Sequence, residues 1–145
     1  MKTILFDTSV LVAGMVTAHA NHLSCVSWFR RAIEKEFGWA VAAHSLAECY
    51  AVLTTLPLSP KISPSIAKHL IEDNIEKHAK IISLTARDYT QCVKTLSERG
   101  LSGGIVYDAI IYHAAKKTQA AHLLTLNLRD FSRFADENHD FVITA

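Results

Sequence analysis

The residues of this chain best suited to chemistry are oxygen donors placed just beyond short apolar runs. Asp7 ends Ile4-Leu5-Phe6, with the hydroxyls of Thr8 and Ser9 beside it. Glu48 falls one turn into a helix predicted to open at Ser45. Asp108 lies in the apolar segment 105–115, and Thr125, Asn127 and Asp130 cluster at the end of the apolar run 122–126. Taken singly, each has a plain structural reading. Asp7 either caps the next helix or faces a ligand. Ser45-Leu46-Ala47-Glu48 fits a capping box, in which the glutamate reaches back to the cap's own N–H. Asn127 with Asp130 fits either a helix cap followed by a first-turn acid or a polar cluster at a strand end. Asp108 resists such a reading. Aspartate is a mediocre helix former, the residue is expected just past the reach of the helix dipole, and a buried carboxylate needs a cation or donors.

Taken together the acids suggest a specific chemistry. Carboxylates gathered in one crevice repel each other unless they share protons or a cation. All-oxygen donors favour Mg²⁺ or Mn²⁺ over Zn²⁺, which prefers thiolate or imidazole. Such an ion lowers the pKa of a water and holds a phosphate oxygen, as hydrolysis of a phosphodiester requires.

The elements that would position these residues follow from the apolar patterning. Ile4-Leu5-Phe6 is consecutive rather than alternating, as expected of a parallel strand covered on both faces. Further strands are predicted at 39–43, 81–84, 122–126 and 141–143, the last at an edge. A short helical turn is predicted at 10–15, loosened by Gly14. Longer helices are predicted at 22–37 (stopped by Gly38), from Ser45 to about 55, from the Ser63-Pro64 start to about 77, from the Thr85 cap to 99, and from the Ser102 cap to 117. A short one follows at 127–134, and the three prolines mark 56–63 as a loop. Strands alternating with helices imply an α/β chain, a three-layer α/β/α sandwich around a mainly parallel sheet of four to five strands. The length suits one domain over 1–145. Ligands of such sheets bind at the carboxyl ends of the strands, where these acids fall.

Composition narrows the class. Half the residues are hydrophobic, 20% are charged and the formal net charge is +1, so no chain-wide basic surface points to a polyanion. Segment 8–29 lacks Lys, Arg, Asp and Glu, but it contains His19, Asn21, His22 and several hydroxyl side chains that would be costly in a bilayer. No membrane association is expected, and a cytoplasmic location is. Cys25, Cys49 and Cys92 are far apart and read as reduced, buried thiols. Cys49 with His44 lacks an orienting third group for nucleophilic catalysis. The eight histidines are scattered and read as ordinary surface or core residues.

Four stretches, ILFDTSVLVA, HSLAECYAVL, GGIVYDAIIYHAA and LLTLNLRDF, resemble PIN-domain ribonucleases, and specifically the VapC-like toxins of bacterial toxin–antitoxin pairs. The likeness runs along nearly the whole chain in the same order. It implies metal ligation by Asp7, Glu48 and Asp108, with Asn127 at the fourth polar position of the catalytic set and Thr125 close by. Many members carry aspartate at that fourth position, so Asp130 becomes the candidate for the missing charge. The resemblance also implies a first strand central in the sheet, an RNA substrate, a homodimer, and a cognate antitoxin that blocks the crevice. The expected function is therefore a Mg²⁺- or Mn²⁺-dependent endoribonuclease acting as a toxin. Thr8 and Ser9 would orient the site, and Arg129 would hold a substrate phosphate. Arg30, Arg31, Lys116, Lys117 and Arg133 are further candidates for RNA contact. The alternatives are a non-catalytic PIN-like binding module and a phosphatase with Asp7 as nucleophile. The phosphatase reading lacks a paired acid on the first strand and a lysine after the fourth.

Overall fold

The computed structural model describes residues 1–133 and 140–145. In chain order the elements are β1 Thr3–Phe6, α1 Thr8–Met15, α2 His22–Ile33, β2 Gly38–Ala42, α3 Ala43–Leu53 and α4 Pro64–Ile71. After a π-helical turn at Glu72–Glu76 come β3 Lys80–Ile82, α5 Ala86–Glu98, α6 Ile105–Lys117, β4 His122–Thr125, α7 Leu128–Phe131 and β5 Val142–Thr144. The five strands form one sheet in the order β3-β2-β1-β4-β5, every neighbouring pair parallel. β1 is the middle strand, as the family resemblance implies, and its unbroken apolar run suits cover on both faces.

Alternation along β1 divides the core into two layers. Ile4 and Phe6 pack on one face with residues of α1, α2, α3 and α4. Leu5 packs on the other with residues of α6, Leu96 of α5 and Phe131 of α7. The architecture is therefore the expected α/β/α sandwich. Phe6 is the hub of the first layer, with ring centroids of Trp39, Phe29, Phe37 and Trp28 5.1, 6.0, 6.1 and 6.4 Å away. Such aromatic contacts lock the last residue before Asp7 into a single position.

Several boundaries differ from expectation, each for a local reason. α2 stops at Ile33 rather than running to 37. Lys35 adopts a left-handed conformation (φ 61°), and the Glu36 N–H closes back on the Arg31 carbonyl. Gly38 opens β2 instead of stopping α2, its N–H bonded to the Lys2 carbonyl at 2.7 Å. Gly14 does not loosen α1. It lies where the Phe29 ring crosses, and a methyl group there would run into that ring. α6 is capped by Gly104 rather than Ser102. The predicted caps of the two helices before it hold. Ser63 accepts from the Ile66 N–H, and Thr85 forms a reciprocal capping box with Asp88. The final residue of the predicted helix 127–134 lies outside the described residues.

Candidate active site

The site is built where β1 and β4 end side by side. Asp7 continues their pairing, its N–H donating to the Leu124 carbonyl at 2.8 Å. It occupies the N-cap position of α1, yet its side chain makes no capping hydrogen bond. The carboxylate turns to β4 instead. Its Oδ2 accepts from Ser9 Oγ at 2.7 Å and from Thr125 Oγ1 at 2.8 Å. Both hydroxyls are held in turn, since Ser9 Oγ accepts from the Leu126 N–H and Thr125 Oγ1 from the Asn127 N–H. Thr125 is fully buried and Asp7 only 3% exposed, so the carboxylate is fixed by the sheet.

Glu48 enters from the other side. The capping box predicted for Ser45 and Glu48 does not form, because α3 already begins at Ala43 with Ala42 as its cap. Ser45 is buried and accepts from Thr8 Oγ1 at 3.0 Å, and Glu48 Oε1 accepts from the same hydroxyl at 3.2 Å. One threonine proton thus links the start of α1 to both residues of α3. His44 Nε2 lies 3.7 Å from Glu48 Oε1. Asp108 comes from the first turn of α6, nearer the positive end of the helix dipole than expected, and is half-buried rather than enclosed.

A crevice of about 460 Å³ joins these elements. Asp7, Thr8, Ser9, Glu48, Asp108 and Asn127 all line it, together with Leu126 and the apolar side chains Val12 and Val52. Sequence reasoning missed two further lining residues, His19 and Asn21, in the turn between α1 and α2. That turn folds on itself, His19 Nδ1 accepting from the Asn21 N–H at 3.0 Å. His22, three residues on, has a different task, bonding through Nδ1 to the Ala13 carbonyl. A polar His-x-Asn pair within an uncharged stretch was the available signal.

The acids share one electrostatic condition. Burial pushes the Asp7 carboxyl above its ordinary range, against the Ser9 and Thr125 hydroxyls, which favour its charged form. Burial also raises Glu48, opposed by His44 and Thr8 and reinforced by Asp7. Asp108 is pushed up to about 7 by burial first, then by the charges of Asp7, Asp130 and Glu48, with Arg133 opposing. Asp130 is therefore close enough to act on Asp108 without lining the crevice. Arg129 is exposed and outside the lining, whereas the charge of Arg133 acts on Asp108.

Other candidates are occupied elsewhere. Arg31 bonds Glu36 at 2.6 Å and stacks over Trp28, and Lys117 bonds Asp88 at 2.7 Å. Lys116 sits 4.0 Å from the centroid of the Phe141 ring. The three cysteines are free and buried, and burial pushes the Cys49 thiol far up, which removes it as a nucleophile. No helix among the described residues is long and apolar enough to cross a membrane.

Residues 4–137 match the family model of the PIN domain. The chain is 37% identical over 123 residues to Ribonuclease VapC40 of Mycobacterium tuberculosis, covering 85% of each. It belongs to the PIN-domain family, among the VapC proteins. The fold agrees with those of solved toxin structures. The VapC20 structure of Mycobacterium tuberculosis, described as a sarcin-ricin loop cleaving toxin, superposes with a TM-score of 0.70 at 16% identity, over 92% of this chain and 97% of that one. A toxin–antitoxin complex from Klebsiella pneumoniae gives a TM-score of 0.61 at 19% identity, over 97% of this chain and 96% of that one.

The PIN site must also fit a divalent cation. Among the described residues, no three His, Cys, Asp or Glu side chains already converge on a metal-sized centre. Mg²⁺ does not require that, since it keeps several waters and is held by one or two carboxylates. The donors of this PIN crevice are hard oxygens, and each of the three carboxyls is destabilised as an anion. That is the state a bound cation relieves, and the residues fit Mg²⁺ or Mn²⁺.

Proposed function

We propose that this protein is a metal-dependent endoribonuclease and the toxin of a toxin–antitoxin pair. The observation that carries the reading is the meeting of Asp7, Glu48 and Asp108 in one crevice at the carboxyl end of a parallel sheet. The ribonuclease name of a relative 37% identical supports RNA as the substrate, and a fold shared with a toxin–antitoxin complex supports an antitoxin as partner.

Asp7 and Glu48 are the ligands held in place. Ser9 and Thr125 fix the first, and Thr8 fixes the second while tying it to α1. Asp108 completes the set from α6. Asn127 offers a neutral amide where more charge would add repulsion, and Asp130 supplies negative charge at longer range. A Mg²⁺ held by Asp7, Glu48 and Asp108 would supply Lewis acidity toward a phosphate oxygen and make a water easier to deprotonate. In such a hydrolysis the phosphorus–oxygen bond to one ribose would be exchanged for a bond to water oxygen, with a water proton ending on the departing ribose oxygen. Arg133, whose charge lowers the Asp108 carboxyl, is a candidate to offset phosphate charge. The protein is expected to act in the cytoplasm as a homodimer.

Asp7→Asn and Asp108→Asn each remove one anionic donor while keeping the side chain's shape. Either should lower RNA cleavage in Mg²⁺ by at least about 100-fold, since even outer partners of a metal site are worth 10–100-fold. Cleavage by both variants at the parent's rate, read on end-labelled RNA, would show that these acids are not the site.

A further inference from the structure

We infer that His44 and Tyr107 form a base-stacking wall for the substrate, and that the groove beside them receives the nucleobase next to the scissile phosphate of single-stranded RNA. This inference rests on the ribonuclease reading above. His44 lies one turn before Glu48 on α3, and Tyr107 immediately precedes Asp108 on α6. Their rings are parallel to within 7° with centroids 5.3 Å apart, an offset stack bridging the two helices that carry two of the acids. Tyr107 is 49% exposed, so an aromatic surface stands open to solvent at the edge of the charged site.

The space beside the pair has the form of a base slot. His44, Ala47, Glu48, Ala51 and Tyr107 enclose a groove of about 230 Å³, in which the two alanines, one turn apart, leave room along α3. Glu48 lines both this groove and the acidic crevice. A strand whose phosphate lies over Asp7 and Glu48 therefore carries a neighbouring base into contact with Tyr107. His44 Nε2 is buried and makes no hydrogen bond, so the histidine does not present that edge to a base. Recognition is by ring faces. Stacking on aromatic side chains holds bases of single-stranded nucleic acid with little regard to sequence. The groove then sets the register of the strand and accepts any flat base.

The test uses the full-length protein with Mg²⁺ or Mn²⁺. Cleavage of a randomised single-stranded RNA pool first locates the cut phosphate, and oligonucleotides with an abasic residue on either side of it follow. Tyr107→Ala should lower kcat/KM roughly tenfold, within the range of base–aromatic stacking, chiefly through KM. Tyr107→Phe and Tyr107→Trp should recover most of that loss, and Tyr89→Ala, at an exposed tyrosine of α5, should have no effect. One abasic oligonucleotide should cost the parent a similar factor, while Tyr107→Ala loses nothing further on it. The inference fails if the parent cleaves RNA and Tyr107→Ala matches it, or if the variant and abasic losses multiply. It also fails if Tyr107→Ala cleaves normally but escapes a co-expressed antitoxin, which would make the groove a protein-docking surface. A parent that cleaves no RNA overturns the ribonuclease reading itself, and this inference with it.

Discussion

Asp7 is enclosed where its charge is unfavourable, and its hydrogen bonds decide what it can do there. Oδ2 holds two hydroxyl donors, one from its own helix start and one from β4. Replacing Thr125 by valine keeps nearly the same volume but removes the donor that ties the carboxylate to β4. Cleavage by Thr125→Val should fall about 10- to 100-fold, the usual effect of losing an orienting partner. Thermal melting of the same variant shows whether the fold survives, so loss of activity in a melted protein is easily recognised. Asp108 predicts a pH effect. Its carboxyl is raised from 3.8 to about 7, so the folded protein holds a proton that the unfolded chain releases between about pH 4 and 7. Stability then falls as pH rises through that window, because the folded state binds more protons than the unfolded one. After allowance for solvent screening the effect is about 1–2 kcal/mol. In metal-free buffer Asp108→Asn should be the more stable protein at pH 8 and show a flatter pH dependence. An equal slope for parent and variant, followed by thermal melting from pH 4 to 8, would count against this.

The elements carry the site by packing. Gly14 lets α1 lie directly against the Phe29 ring of α2, and α1 bears Thr8 and Ser9 at its start. Gly14→Ala forces that ring aside and should cost about 1–3 kcal/mol, as overpacking usually does. Urea titration would measure it, and a neutral result would mean that the ring relaxes freely. The same contact shows what could be read from the chain beforehand. The alternation of strands with helices and the caps at Ser63 and Thr85 were legible because each rests on local chemistry or apolar patterning, whereas the central place of β1 came only from the family resemblance. Gly14 read as a weakness because the ring that needs the space is fifteen residues away. Taken alone Glu48 fitted a capping group because S-x-x-E is a local pattern, whereas its actual partner, Thr8, is brought by the fold. The acids themselves could be found from sequence, since their types stand out among apolar neighbours. His19 and Asn21 left only a faint signal, a polar pair in an uncharged stretch, because it is the turn after α1 that carries them to the crevice.

At the scale of the molecule, two core layers clamp one sheet, and the sheet's carboxyl edge gathers acids from β1, α3 and α6. Three carboxyls with raised proton affinity give the folded chain a reason to prefer a cation that the unfolded chain lacks. Mg²⁺ or Mn²⁺ at 100 times its dissociation constant should stabilise the fold by about 2.7 kcal/mol, an upward shift in Tm that Asp7→Asn should abolish. An unchanged Tm across a millimolar titration would favour the non-catalytic binding module. The Thr125–Asp7 hydrogen bond has one more consequence. It joins residues 118 positions apart, the central strand of the sheet being made well before its β4 neighbour. Such long-range pairing closes late. A nascent chain that has not reached Asn127 lacks the β4 edge and the Thr125 anchor, so a cell making this protein meets a complete crevice only after β4 has been made.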